Sequence, residues 1–163
     1  MTEDADRVVQ EFGPALARVA AAYERDRALR EELVQEILLA VVRALPRLSE
    51  PGKLKPFVFR IAHNRAVSHV ARRVREPAME DGADLVVSEA PSQEQALIAA
   101  ERSAALLEAV RALSLPYRQV ITLVLEDLTY EEIAQALGLS VSNVGVRVNR
   151  AKQRLRELLD HER

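Results

Sequence analysis

Apolar residues recur at spacings of three and four along most of this chain. Leu16, Val19, Ala20 and Tyr23 form one such series, and Leu33, Ile37, Val41, Val42 and Leu45 form a second. Each series predicts a helix with one buried face. The stretch LPRLSEPGKLKP then interrupts the pattern with three prolines and a glycine, after which Phe57, Ile61, Val67 and Val70 predict a further helix. Residues 96–113 are again amphipathic, Pro116 suits the first turn of a helix running through Leu125, and two more helices follow. Nothing alternates at the strand period, so the expected fold class is all-α.

Charge divides the same sequence into blocks. Residues 52–75 hold seven bases, Lys53, Lys55, Arg60, Arg65, Arg72, Arg73 and Arg75, and no acid. Residues 76–101 reverse the sign, with Glu76, Glu80, Asp81, Asp84, Glu89, Glu94 and Glu101 and no base. EPAMEDGADLVVSEAPSQEQ, inside the acidic block, shows no helical period and carries Pro77, Gly82 and Pro91, which reads as a linker. The expected organisation is two small helical domains, 1–75 and 96–163, joined by a flexible acidic linker over 76–95.

The last forty residues hold the most specific pattern. Thr129 followed by Glu132 is a capping-box signature, so a short helix should start there and bury Ile133, Ala134 and Leu137 before Gly138 ends it. Ser140 is placed to cap the next helix with its hydroxyl. Helix, glycine turn and helix make a helix-turn-helix. On its second helix Val144, Val148, Ala151 and Leu155 form a stripe to be buried. Asn143, Arg147, Arg150 and Arg154 repeat those spacings one position earlier and form a stripe turned by about 100°, facing outward. Such a helix fits the major groove, with Asn143 and Arg147 within reach of base edges and the later arginines neutralising phosphates.

Composition removes other classes of function. With 163 residues, 48% hydrophobic and 29% charged, the chain has the balance of a soluble protein, and it has no apolar run long enough for a membrane span. Acids in MTEDADRVVQEF occupy the place of a basic secretory n-region, so a cytoplasmic location is expected. The absence of cysteine excludes thiol catalysis and thiolate metal sites, and three scattered histidines, His63, His69 and His161, offer no metal constellation. Neither a metal nor a cofactor is expected. Glu31-Glu32 and Glu131-Glu132 are not paired catalytic carboxylates, since adjacent helix positions do not face one another, and no phosphate loop or nucleophile motif occurs. The expectation is a protein without catalysis of its own.

LPYRQVITLVLEDLTYEEIAQALGLSVSNVGVRVNRAKQRLREL resembles region 4 of bacterial sigma factors, the part that binds the promoter −35 element. The resemblance implies −35 contacts from Ser142, Asn143, Val146, Arg147, Arg150 and Arg154. It departs at Gly145, where many relatives carry lysine; a contact is lost there, and glycine costs up to about 1 kcal/mol in a helix relative to alanine. EELVQEILLAVVRALPRL followed by FVFRIAHNRAVSHVARRVRE is similar to region 2 of the extracytoplasmic-function sigma factors, which have regions 2 and 4 only, and the similarity extends upstream through FGPALARVAAAYERD. It implies that Glu32, Gln35 and Glu36 dock on the clamp helices of the RNA polymerase β′ subunit, with region 4 meeting the β flap.

For the −10 element, the resemblance implies that the loop over residues 49–56 reads a flipped base and that the following helix grips the opened strand. Its candidate contacts are Lys53, Lys55, Phe57, Arg60, His63, Asn64, Arg65, Arg72 and Arg73, with Arg75 adding charge. Offsetting the cost of a flipped base requires a pocket plus phosphate contacts, and the latter weaken with salt. Phe57 and Phe59 are suited either to base stacking or to the core, and His63 reads as a polar surface residue. Where relatives often carry aromatics this chain has Leu38, Val42 and Phe57; the last bears on strand separation. The acidic linker either enters the polymerase cleft or serves as a tether. The implied partners are core RNA polymerase and promoter DNA, with an anti-sigma protein as a third. Two other readings fit parts of the pattern: a polymerase-independent helix-turn-helix regulator, and a sigma-like docking adaptor that does not initiate transcription.

Overall fold

A computed structural model describes residues 2–75 and 94–161, and in these every regular element is helical. Of the linker expected over residues 76–95, residues 76–93 lie outside this range, while Glu94 and Gln95 begin a helix. Helix α1 spans Thr2–Tyr23, with Glu3 and Asp4 at its positive end. After a short turn α2 spans Arg27–Ala44, capped by Asp26, whose carboxylate accepts from the Leu29 N–H at 3.0 Å. The proline-rich break forms two 3-10 turns, Leu45–Arg47 and Pro51–Lys53, each with proline in its first positions. Helix α3 then spans Leu54–Arg75.

The second half contains α4 (Glu94–Ala112), α5 (Leu115–Leu125), α6 (Tyr130–Leu137) and α7 (Val141–His161). The capping box at Thr129 is formed in both directions: the Glu132 N–H donates to Thr129 Oγ1 at 3.1 Å and the Thr129 N–H donates to Glu132 Oε1 at 2.9 Å. Gly138, at φ 69°, closes α6 in the left-handed region that glycine enters without strain. Asp127 holds a similar φ of 63° between α5 and α6. Aspartate tolerates that conformation better than most residues.

Leu16, Leu33, Ile37, Val58 and Phe59 are almost wholly buried where α1, α2 and α3 meet, and Phe12 meets Phe59 edge to face at 6.1 Å between ring centroids. Leu38 and Val42 are half-buried. Around α5, α6 and α7 the core is Val120, Leu123, Ile133, Val144, Val148 and Ala151. The two groups touch: α4 packs on both α1 and α7, α5 reaches α1, and α6 lies against α3. Arg18 and Glu126 form a two-pronged ion pair across this junction, Nη2 to Oε1 at 2.7 Å and Nε to Oε2 at 2.9 Å. Arg111 Nε donates to the Ala21 carbonyl at 2.8 Å.

Candidate nucleic-acid interface

Helix α7 is fixed by its buried stripe. Ser140 Oγ accepts from the Asn143 N–H at 3.1 Å and so starts the helix, while Val144, Val148 and Ala151 are fully buried. Helical spacing then leaves Ser142, Asn143, Val146, Arg150 and Arg154 exposed and Arg147 half-buried. Arg154 spends one prong on Glu157, Nη1 to Oε2 at 3.0 Å, in an exposed pair that contributes little. At Gly145 an added Cβ would meet only Tyr130, at 3.8 Å, an ordinary contact; no steric requirement explains the glycine.

Helix α3 divides into two faces. Phe59, Ala62, His63, Ala66 and His69 point into the protein, while Arg60, Asn64, Arg65, Ser68 and Arg72 are exposed. The expectation of a surface His63 is therefore corrected. With 2% of its surface exposed it cannot touch DNA in this arrangement. Its Nδ1 lies 2.9 Å from the Tyr23 hydroxyl on α1 and its Nε2 lies 3.5 Å from Thr122 Oγ1 on α5. Burial holds its pKa down at about 4 and raises that of Tyr23. Phe59 belongs to the core, whereas Phe57 is half-buried and walls a cavity of about 350 Å³ together with Arg47, Ser49, Lys53, Arg60 and Gln135.

The remaining cations of this face are partly engaged. Lys53 approaches Glu50 at 3.4 Å, and Lys55 Nζ donates to the Asp127 carbonyl at 3.4 Å. Arg73 Nε donates to Glu24 Oε1 at 2.8 Å, and the same oxygen lies 2.8 Å from His69 Nε2. Burial would raise the Glu24 carboxyl, but the bonds from His69 and the Asp26 N–H, with the charge of Arg73, outweigh it and hold its pKa below the usual range. That cluster ties the α1–α2 turn to α3.

On α2, Glu32 and Gln35 are exposed and Glu36 half-buried, opposite Leu33, Ile37 and Val41. Glu36 pairs with Arg72 at 3.1 Å, so a residue expected to meet polymerase and one expected to meet DNA share a contact. The sequence reasoning missed Arg43 and Arg47. They line a groove of about 600 Å³ with Glu36, Arg65 and Arg72. Arg43 stands seven residues after Glu36, two helical turns along the same face, which was a usable signal. Gln135 and the Asp127 carbonyl were missed as well, and no local pattern points to them.

Two family models match the sequence: Sigma-70 region 2 over residues 8–76 and Sigma-70 region 4 over residues 103–155. The chain is 30% identical to the ECF RNA polymerase sigma factor SigE of Mycolicibacterium smegmatis, over 94% of its own length and 61% of that protein's. It is 34% identical to the ECF RNA polymerase sigma factor ShbA of Streptomyces griseus, over 80% of its own length and 71% of the relative's. Among solved structures it resembles the sigma factor RpoE in complex with the anti-sigma factor NepR from Bartonella quintana, with a TM-score of 0.76, 25% identity and 99% of both chains covered. The chain thus spans about three-fifths of SigE, the first of these relatives.

Proposed function

Because this chain belongs to the extracytoplasmic-function group of the sigma-70 family, we propose that it is a sigma subunit that binds core RNA polymerase and directs it to promoters. The observation that carries this reading is the joint presence, in one chain, of an outward arginine stripe on α7 and an exposed acidic edge on α2. Burial of Val144, Val148 and Ala151 leaves Asn143, Arg150 and Arg154 no direction but outward, and burial of Leu33, Ile37 and Val41 does the same for Glu32 and Gln35. A helix-turn-helix alone would suit any duplex reader; the second surface is what a polymerase-dependent factor needs.

In this reading residues 1–75 dock on the polymerase clamp and open the −10 DNA, residues 96–163 hold the −35 duplex, and residues 76–95 connect them. The α7 N-terminus presents Ser142, Asn143, Val146 and Arg147 to base edges, and Arg150 and Arg154 to phosphates. The Phe57 cavity has the volume for one unstacked base, with Arg47, Lys53 and Arg60 around it to hold the strand. Arg65 and Arg72 extend that grip along α3. His63 and Arg73 serve instead to shape the helix from behind. The protein carries out no catalysis itself and works in the cytoplasm, where polymerase is. The complex of RpoE with NepR supports an anti-sigma protein as a further partner.

Transcription by purified core polymerase on a library of promoter fragments tests the proposal. New start sites should appear only when this protein is added. Failure to bind core enzyme, or binding without any new start site, would refute it, and the second outcome would favour a docking adaptor.

A further inference from the structure

One basic cavity lies apart from the nucleic-acid and polymerase surfaces. It encloses about 490 Å³ where the end of α1 and the end of α3 meet α4 and α5, and its walls include Tyr23, Glu24, Arg25, Arg73, Arg111 and Arg118. The volume falls in the range of about 300–1,000 Å³ typical of small-molecule sites. Four arginines line it, and two carboxylates stand among them. Glu24 is used up by His69, Arg73 and the Asp26 N–H. Glu108 is divided between Arg25 at Oε2 and Arg111 at Oε1.

Arg118 has no carboxylate partner among the described residues. Its Nη2 donates to the Arg111 and Leu113 carbonyls at 2.9 and 3.0 Å, its guanidinium lies 5.5 Å from the Tyr23 ring centroid, and its Nε is buried without any acceptor. A buried donor left unmade is costly, and a guanidinium is built to bind oxyanions in a bidentate fork. Arg111 is better served, by Glu108 and the Ala21 carbonyl, but it shares that carboxylate with Arg25, so two guanidiniums divide one negative charge. Neither the walls nor the size suit a duplex. A compact anion of more than one charge suits both.

We infer that this cavity binds a small multivalent phosphate, the phosphate chain of a nucleoside triphosphate or free triphosphate, through Arg25, Arg73, Arg111 and Arg118. Arg25 and Arg73 come from the α1 and α3 side and Arg111 and Arg118 from the α4 and α5 side. Occupancy therefore clamps the two halves of the molecule together. Binding does not depend on the sigma reading, so the two can fail separately.

Isothermal titration of the full chain with sodium triphosphate and with GTP, without magnesium and at fixed ionic strength, tests the site. The expected result is saturable binding of one anion per chain and a higher melting midpoint. Equal affinities would identify the phosphate chain as the whole ligand, and tighter GTP binding a nucleotide; both support the site. Arg25→Gln and Arg118→Gln should each weaken binding about tenfold or more, the worth of one charged hydrogen bond. Arg25 is largely exposed, so its variant decides the matter should Arg118→Gln fail to fold. Arg150→Gln on α7, outside the cavity lining, should leave triphosphate affinity unchanged. The inference is overturned if triphosphate gives no saturable binding, if Arg25→Gln binds like the parent, or if only Arg150→Gln loses binding.

Discussion

Acidifying the solution from pH 7 to pH 5 should destabilise this protein through one residue, His63. Tyr23 from α1 and Thr122 from α5 stand against its ring, and neither offers a negative charge to an imidazolium. Its pKa is about 4 in the fold, against about 6.5 in an unfolded chain. Between those values the unfolded state binds more protons than the native state, so stability rises with pH across the window. The contribution is complete above pH 6.5 and is lost as pH falls toward 4. Integration from pH 7 to pH 5 gives a loss of about 2 kcal/mol, out of about 3 for the whole window. Glu24, held below the usual carboxylate range, adds its own loss only at the more acidic end. Urea unfolding followed by far-UV circular dichroism at both pH values measures the change. His63→Gln keeps a polar partner for Tyr23 but does not titrate, so it should lose about 2 kcal/mol less than the parent between the two conditions. Other carboxylates cancel in that comparison. Equal losses in the two proteins would refute the reasoning.

Arg150→Ala should weaken binding of the −35 duplex by the polymerase complex and make the slope of log affinity against log salt shallower by about 0.9, one phosphate's worth, as read by fluorescence anisotropy across a salt series. Gly145→Ala should raise unfolding stability by up to about 1 kcal/mol, because the added Cβ meets only Tyr130 at 3.8 Å; Gly145→Lys should also steepen that salt slope. Thr129→Ala removes the Thr129 half of the α6 capping box and should cost about 1 kcal/mol in the same urea assay.

The features that sequence pattern revealed best are those made by near neighbours. Thr129 with Glu132, Gly138, and Ser140 with Asn143 close bonds within a few residues of one another, so their spacing carries the whole interaction. The two stripes of α7 follow from helical period alone. His63 reads as a polar surface residue when taken alone, but it shares a face with Phe59, Ala62 and Ala66, and that spacing assigns it to the interior. Its partners Tyr23 and Thr122 lie 40 and 59 residues away, where no local pattern reaches. Phe57 and Phe59, two apart on α3, were bound to face differently, and the structure gives the core to Phe59. The arginines around the α1–α4–α5 cavity come from the α1–α2 turn and three helices, α3, α4 and α5, and do not form a run in the sequence.

Gln135 reaches the wall of the Phe57 cavity, and the Lys55 ammonium rests on the backbone of Asp127, so α6 stands at the mouth of the pocket intended for a base. On the proposed function, a promoter strand entering this pocket would compete with α6 for one place. If only a small fraction of free molecules have α6 lifted, the measured affinity for opened DNA is reduced by that fraction, however good the pocket is. Loosening the Lys55 and Gln135 contacts would then increase strand capture without adding a single new bond to the nucleic acid.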